Sequence, residues 1–215
     1  MGGTSLWLIA PKDDHEFNTS MKELILDTIP TNFPKAPKHK FIPHITVTSD
    51  IDPAKTYESS PQEWLDKLEL PEDMKKEFKE ATIELEAVEA GEPFFKKVTI
   101  RAKKDANLVK LAAKCRRQGL QIPESEAQQW AEKEYLPHLS LLYADLPKDD
   151  VQKKVPMIEL QIGWEFGGLF DCCGGTLCMG AKLVLVDTGK EVNDWNVIAE
   201  RDVPWVRWTM ARSLI

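Results

Sequence analysis

FIPHITVTSD, residues 41–50, holds one of the four histidines in a chain of 215 residues. Ninety-four positions after His44 the frame recurs around His138, in YLPHLSLLYAD, residues 135–145. Each frame runs aromatic, aliphatic, proline, histidine, aliphatic, hydroxyl. Both read as strand openings. Side chains at i and i+2 of a strand share a face. His44 and Thr46 therefore point one way, as do His138 and Ser140, while Ile45, Val47, Leu139 and Leu141 point into a core. Each segment presents one imidazole beside one hydroxyl on a rigid element, which holds geometry better than a loop does.

A lone His-x-Thr in a strand is ordinarily a satisfied structural histidine. Two matching frames among four histidines are a different observation. His15 opens a polar helix and His39 sits in a lysine loop; neither has a hydroxyl two residues on, and both read as solvated. Two such strands facing across a cleft suit phosphoryl chemistry without a metal. One neutral imidazole deprotonates water and the other, protonated, serves the leaving oxygen. A histidine pKa near 6.5 lets both forms coexist near neutrality. Thr46 and Ser140 can bind the non-bridging oxygens where charge builds up.

Working outward, TSLWLIA reads as a first strand and residues 15–29 as a helix closed by Pro30. TNFPKAPKHK reads as a solvated loop, with steering of anionic substrates by the lysines of KAPKHK as the alternative. Ser60, Pro61 and Glu63 form a helix-start signature, and MKKEFKEA extends or follows that helix. TIELEAVEAG and FFKKVTIRA, joined by a turn at Gly91–Pro93, read as antiparallel strands of opposite charge. DANLVKLAAKCRRQGL is a helix capped by Asp105 and stopped at Gly119, and ESEAQQWAEKEY is a shorter one. PKDDVQKK is a polar segment. Further strands are expected around 157–166 and 181–187 and in WNVIAERDV, with no firm reading for the tail PWVRWTMARSLI. Hairpins mixed with helices point to an α+β fold with antiparallel sheets. No phosphate-binding glycine loop of known spacing is present.

One domain, with two lobes, suits the length. Hydrophobic content of 42% and charged content of 29% are those of a globular protein. A net charge of −7 argues against a long nucleic acid as partner. No run approaches the roughly 18 apolar residues of a membrane span. SLWLIA lacks a basic flank and a cleavage site, and Leu6 stands where a myristoylation signal has Ser or Thr. The expectation is a soluble cytoplasmic protein. Cys172, Cys173 and Cys178 in DCCGGTLC have no zinc-site spacing and read, with Cys115, as reduced thiols, the cluster in a glycine turn leading into a strand. Of seven tryptophans, Trp7 and Trp164 are expected to pack in sheets and Trp64 against its helix's core face. Nothing in the sequence sets the oligomeric state.

The paired frames PHITVTSD and PHLSLLYAD, about a hundred residues apart, resemble the two-histidine (2H) phosphoesterase superfamily. Within it they are most similar to the fungal and plant 2′,3′-cyclic-nucleotide 3′-phosphodiesterases. SLWLIAP and LVLVDTG with DWNVIAE look like the fungal form, so the resemblance spans nearly the whole chain. It implies a two-lobed fold around a central cleft, one histidine strand per lobe, over residues 1–215. It implies metal-independent opening of a cyclic phosphate at the 3′-oxygen, with no cofactor and a small nucleotide as partner. ADP-ribose 1″,2″-cyclic phosphate, a by-product of tRNA splicing, is a typical substrate of such enzymes. His44 and His138 become the acid–base pair; analogy puts His138 on water and His44 on the departing oxygen, and the sequence itself does not separate the two roles. Thr46 and Ser140 become phosphate ligands. Tyr143 matches an aromatic lining the substrate site; it reaches the cleft only if its strand ends or bulges near Leu142, and otherwise packs at the lobe surface. Golgi association is implied by resemblance alone. Competing readings are an enzyme acting on 2′,3′-cyclic RNA ends, a non-catalytic nucleotide-binding module, and a thiol enzyme built on Cys172, Cys173 and Cys178.

Overall fold

The structure, a computed structural model, describes residues 3–56, 60–71 and 80–215. Among the described residues, nine strands form one sheet in the order β6-β9-β3-β4-β5-β2-β1-β7-β8. The strands are β1 (Thr4–Ile9), β2 (Ile45–Ile51), β3 (Ala81–Ala90), β4 (Val98–Ala102), β5 (His138–Leu142), β6 (Thr176–Met179), β7 (Lys182–Asp187), β8 (Asn196–Asp202) and β9 (Val206–Met210). The α-helices among the described residues are α1 (His15–Glu23), α2 (Pro53–Thr56), α3 (Pro61–Lys67), α4 (Ala106–Leu120), α5 (Glu124–Lys133), α6 (Lys148–Gln152) and α7 (Val155–Cys172). The α+β expectation holds, in one continuous sheet rather than separate ones. Its pairings are antiparallel except β3 with β9, which run parallel.

The sheet has a narrow waist. Strands β2 and β5, which carry the two histidine frames, meet through a single residue pair, Ile45 opposite Leu139. On either side the pairing is extensive, β2 with β1 and β5 with β4. Ile45, Val47, Leu139 and Leu141 are wholly buried in one core, as their alternation demands. Each such aliphatic burial contributes about 1.5–3 kcal/mol, so the faces of both histidine strands are firmly set.

Several local signals act as expected. Ser60 Oγ accepts from the Glu63 amide at 3.2 Å, and Asp105 caps α4 by accepting from Asn107 and Leu108. Arg101 on β4 bridges to Glu86 and Glu89 on β3. Gly174 and Gly175 take positive φ between α7 and β6, the turn the glycines of CCGG suggest. Trp64 is partly buried against the main core. The segment MKKEFKEA lies almost wholly outside the described residues.

Other expectations are corrected. Residues 157–166 are not a strand but the middle of α7. Apolar residues at 158, 160, 162, 164 and 166 alternate like a strand, yet 158, 162 and 166 also lie one helical turn apart. Pro156 in the first turn starts the helix, and Ile158, Ile162 and Phe166 are the positions that reach the core. Trp164, expected in a sheet, is therefore 92% exposed on the helix surface. Pro30 does not close the first helix, which continues as a π turn and a 3-10 turn to Asn32. Phe94–Lys96 is a one-turn helix and β4 begins only at Val98. The tail contains β9, with Val206, Trp208 and Met210 buried in alternation. Gly119 does not stop α4, which ends beyond it at left-handed Gln121. It lets the helix lie close on β2, where an added Cβ would come within 2.9 Å of Ile51 Cγ1. Both ring nitrogens of His39 are buried and the ring stands edge-on to Phe94, so that residue is not solvated. No helix among the described residues is long and apolar enough to cross a membrane.

Candidate active site

At the waist of the sheet a cavity of about 460 Å³ opens between β1, β2 and β5. His44, Thr46, His138, Ser140 and Tyr143 all line it. The structure thus brings together every site residue the sequence singles out. The alternation argument is what places them there, because the opposite faces of β2 and β5 are anchored in the core.

Both imidazoles are held in the same way. His44 Nδ1 lies 2.6 Å from the carbonyl oxygen of Ile42, and His138 Nδ1 lies 2.8 Å from that of Leu136. A carbonyl only accepts, so each Nδ1 carries the proton and each Nε2 is left as the reactive nitrogen. The intervening proline explains the pattern. It holds its own φ fixed and biases the residue before it toward extended backbone. The aliphatic-Pro-His triplet therefore carries its own orienting acceptor.

Electrostatically the two rings differ in degree. Burial draws the pKa of His44 from 6.5 to about 4, against an opposing pull from the Ile42 carbonyl. His138 is also lowered, first by burial and then by the nearby Lys96 ammonium. These shifts leave both imidazoles neutral at pH 7. Ser140 Oγ donates to the Phe95 carbonyl at 3.2 Å. Burial pushes the Tyr143 phenol above its usual range, so it stays a neutral hydroxyl. Strand β5 ends at Leu142, the condition under which Tyr143 turns into the cleft, and its ring stacks on Phe41 with centroids 4.1 Å apart.

Sequence reasoning missed several wall residues. Trp7 was expected to pack in the sheet, and it does, opposite Thr46 on β1. It also lies flat on the His44 ring. Register would have found it, since the residue paired with Thr46 must share its face. Phe95 and Trp195 face each other at 5.8 Å and both line the cavity. The lysine of the cavity is Lys96, not one of those in KAPKHK. No sequence spacing announces Phe95, Lys96 or Trp195, because loops and a one-turn helix deliver them. The thiols do not join the site: Cys115 and Cys178 are buried elsewhere, and Cys172 and Cys173 are exposed at the end of α7.

A model of the family described as cyclic phosphodiesterase-like protein matches residues 1–203. The chain is 38% identical over 206 residues to a 2′,3′-cyclic-nucleotide 3′-phosphodiesterase of Phaeosphaeria nodorum, covering 94% of this chain and 100% of that one. A protein of the same description from Neurospora crassa is 30% identical, over 94% of this chain and 99% of its own. Another from Yarrowia lipolytica is 29% identical, over 93% and 99%.

Proposed function

The chain belongs to the cyclic phosphodiesterase-like family, and on that premise we propose that it hydrolyses nucleoside 2′,3′-cyclic phosphates to nucleoside 2′-phosphates, with His44 and His138 as its acid–base pair. The observation that carries this is the matched tethering of the two rings. Both Nδ1 atoms face a carbonyl of their own strand, and both rings line one cavity with Thr46, Ser140 and Tyr143.

The chemistry follows from that set. A water oxygen attacks phosphorus as His138 Nε2 takes its proton. The bond from phosphorus to the 3′-oxygen breaks, and that oxygen receives the proton of His44. The phosphate remains on the 2′-oxygen. Thr46, Ser140 and the Lys96 ammonium take the charge that gathers on the non-bridging oxygens. Ser140 does so by turning its proton from the Phe95 carbonyl to the phosphate. Burial leaves His44 neutral, and it must be charged to act as acid. One negative charge at ~4 Å and an effective dielectric of ~20 is worth ~4 kcal/mol, or about three pKa units. The bound anionic substrate thus restores the proton that burial removes.

The cavity volume suits a small nucleotide, and half-exposed Phe95 beside Trp195 offers aromatic surface to a base. The same chemistry opens ADP-ribose 1″,2″-cyclic phosphate to ADP-ribose 1″-phosphate, the disposal of a tRNA-splicing by-product. In this reading β1, β2, β7 and β8 form one lobe and the other five strands the second, one histidine each.

The test is a panel of 2′,3′-cyclic nucleotides, ADP-ribose 1″,2″-cyclic phosphate and a cyclic-ended oligonucleotide, with product position read by phosphorus NMR and chelator present. Release of 2′-phosphates from the small substrates is expected, with His44→Ala and His138→Ala each losing 10²-fold or more. Near-wild-type turnover in either variant, or strict dependence on added metal, overturns the mechanism.

A further inference from the structure

The outer face of α7 plays no part in the proposed chemistry and carries three of the seven exposed large hydrophobic side chains among the described residues. Met157, Leu160 and Trp164 follow at helical spacing and are 53%, 69% and 92% exposed. Gly168 comes one turn later, and a Cβ built on it meets nothing within 4 Å. These residues form a single stripe along the helix. Contiguous exposed apolar surface of this kind marks a contact site. The stripe is closed by opposite charges: exposed Lys153 and Lys154 precede the helix, and exposed Asp171 lies in its last turn. No lysine or arginine lies within Val155–Cys172.

We propose that this face docks on the same face of a second copy of the chain, with the two α7 helices antiparallel about a two-fold axis near Trp164. The stripe is complementary to itself only in that arrangement. A two-fold axis at Trp164 sets Leu160 of one copy over the bare Gly168 of the other, a large side chain over a hole. It sets Met157 beside the turn that holds Asp171 of the second copy. Lys153 and Lys154 then meet the acidic, carbonyl-rich C-terminal end of the opposing helix, and the two helix dipoles run opposed. A parallel pairing would set lysines against lysines and Asp171 against Asp171. Within one chain Lys153 makes an exposed pair with Asp150, which is readily exchanged. One helix face gives less than the ~800 Å² per partner of a standard interface, so the dimer is expected to be reversible, with a Kd on the order of micromolar.

The experiment is sedimentation velocity on the full chain across a concentration series reaching about ten times that Kd. The expected mass moves from one chain to two. Trp164→Glu and Leu160→Glu should hold the mass at one chain while turnover stays at wild type, which shows that the fold survives. Lys153→Glu with Lys154→Glu should weaken association, and adding Asp171→Lys should recover it at least in part. The proposal is overturned if the wild type remains one chain throughout, or if Trp164→Glu still dimerises. It is equally overturned if the wild type stays monomeric but co-sediments with phosphatidylcholine vesicles and Trp164→Glu does not, which would make the stripe a lipid contact.

Discussion

Trp7 lies flat against His44, with ring centroids 3.6 Å apart and planes 9° from parallel. The indole is a lid on one face of the imidazole, and Trp195 in turn meets Trp7 edge-on at 5.6 Å. The depressed pKa of His44 comes first from burial, so it depends on that lid. Trp7→Ala should admit water to the ring and move its pKa up from about 4 toward 6.5. Proton NMR titration of the His44 ring reads this directly, and an unmoved pKa would show that burial comes from elsewhere. Turnover should fall as well, because the ring loses its orientation on one side.

Stability should depend on pH through the same residue. His44 has a folded pKa below its unfolded value, so between about 4 and 6.5 the unfolded chain binds more protons. Stability is then full above pH 6.5 and is lost as pH falls through the window, by up to ~3 kcal/mol. The lowered His138 acts in the same direction. Urea unfolding at pH 7 and pH 5 should show the loss, and His44→Gln should remove most of the slope. An equal slope in that variant assigns the effect to other groups.

Rate and substrate binding should report different imidazole values. The profile of kcat/KM follows the free enzyme, where burial holds both rings low. Its alkaline limb is expected below pH 6.5. The profile of kcat follows the complex, where bound phosphate favours the charged ring, so its alkaline limb should lie higher. Coincident limbs would mean that the anion does not recharge the pair.

Lys96 combines two effects that can be separated. It lines the cavity and lowers the pKa of His138, after burial. Lys96→Met should raise the His138 pKa, seen by NMR, and lower kcat/KM by about 10-fold or more through lost phosphate stabilisation. A change in KM without a shift at His138 would confine the lysine to binding.

The two site strands were legible because their alternation fixes both a core face and a cleft face. Ile45 and Leu139 could only go inward, so His44 and His138 had to face out of the core. The α7 segment was misread because its apolar residues at every second position satisfy two periods at once, and only Pro156 tips the balance. Gly119 looked like a helix stop because its other use, close contact with Ile51, depends on a strand nearly seventy residues earlier. Phe95, Lys96 and Trp195 were illegible for the same reason. A one-turn helix brings Phe95 and Lys96 to the cleft and a loop brings Trp195, and neither carries a readable period.

The carbonyls of Ile42 and Leu136 have a consequence for how the site tolerates change. Each ring is aimed by an oxygen two residues back in its own segment. Aim is thus set first within each tripeptide, independently of the other, with Trp7 backing the His44 ring on one face. What the remainder of the molecule controls is separation, and the strands bearing the two rings touch at one residue pair, Ile45 and Leu139. Substitutions far from the cleft can therefore detune the reach between acid and base without misdirecting either, as the span of a caliper changes while its jaws stay true.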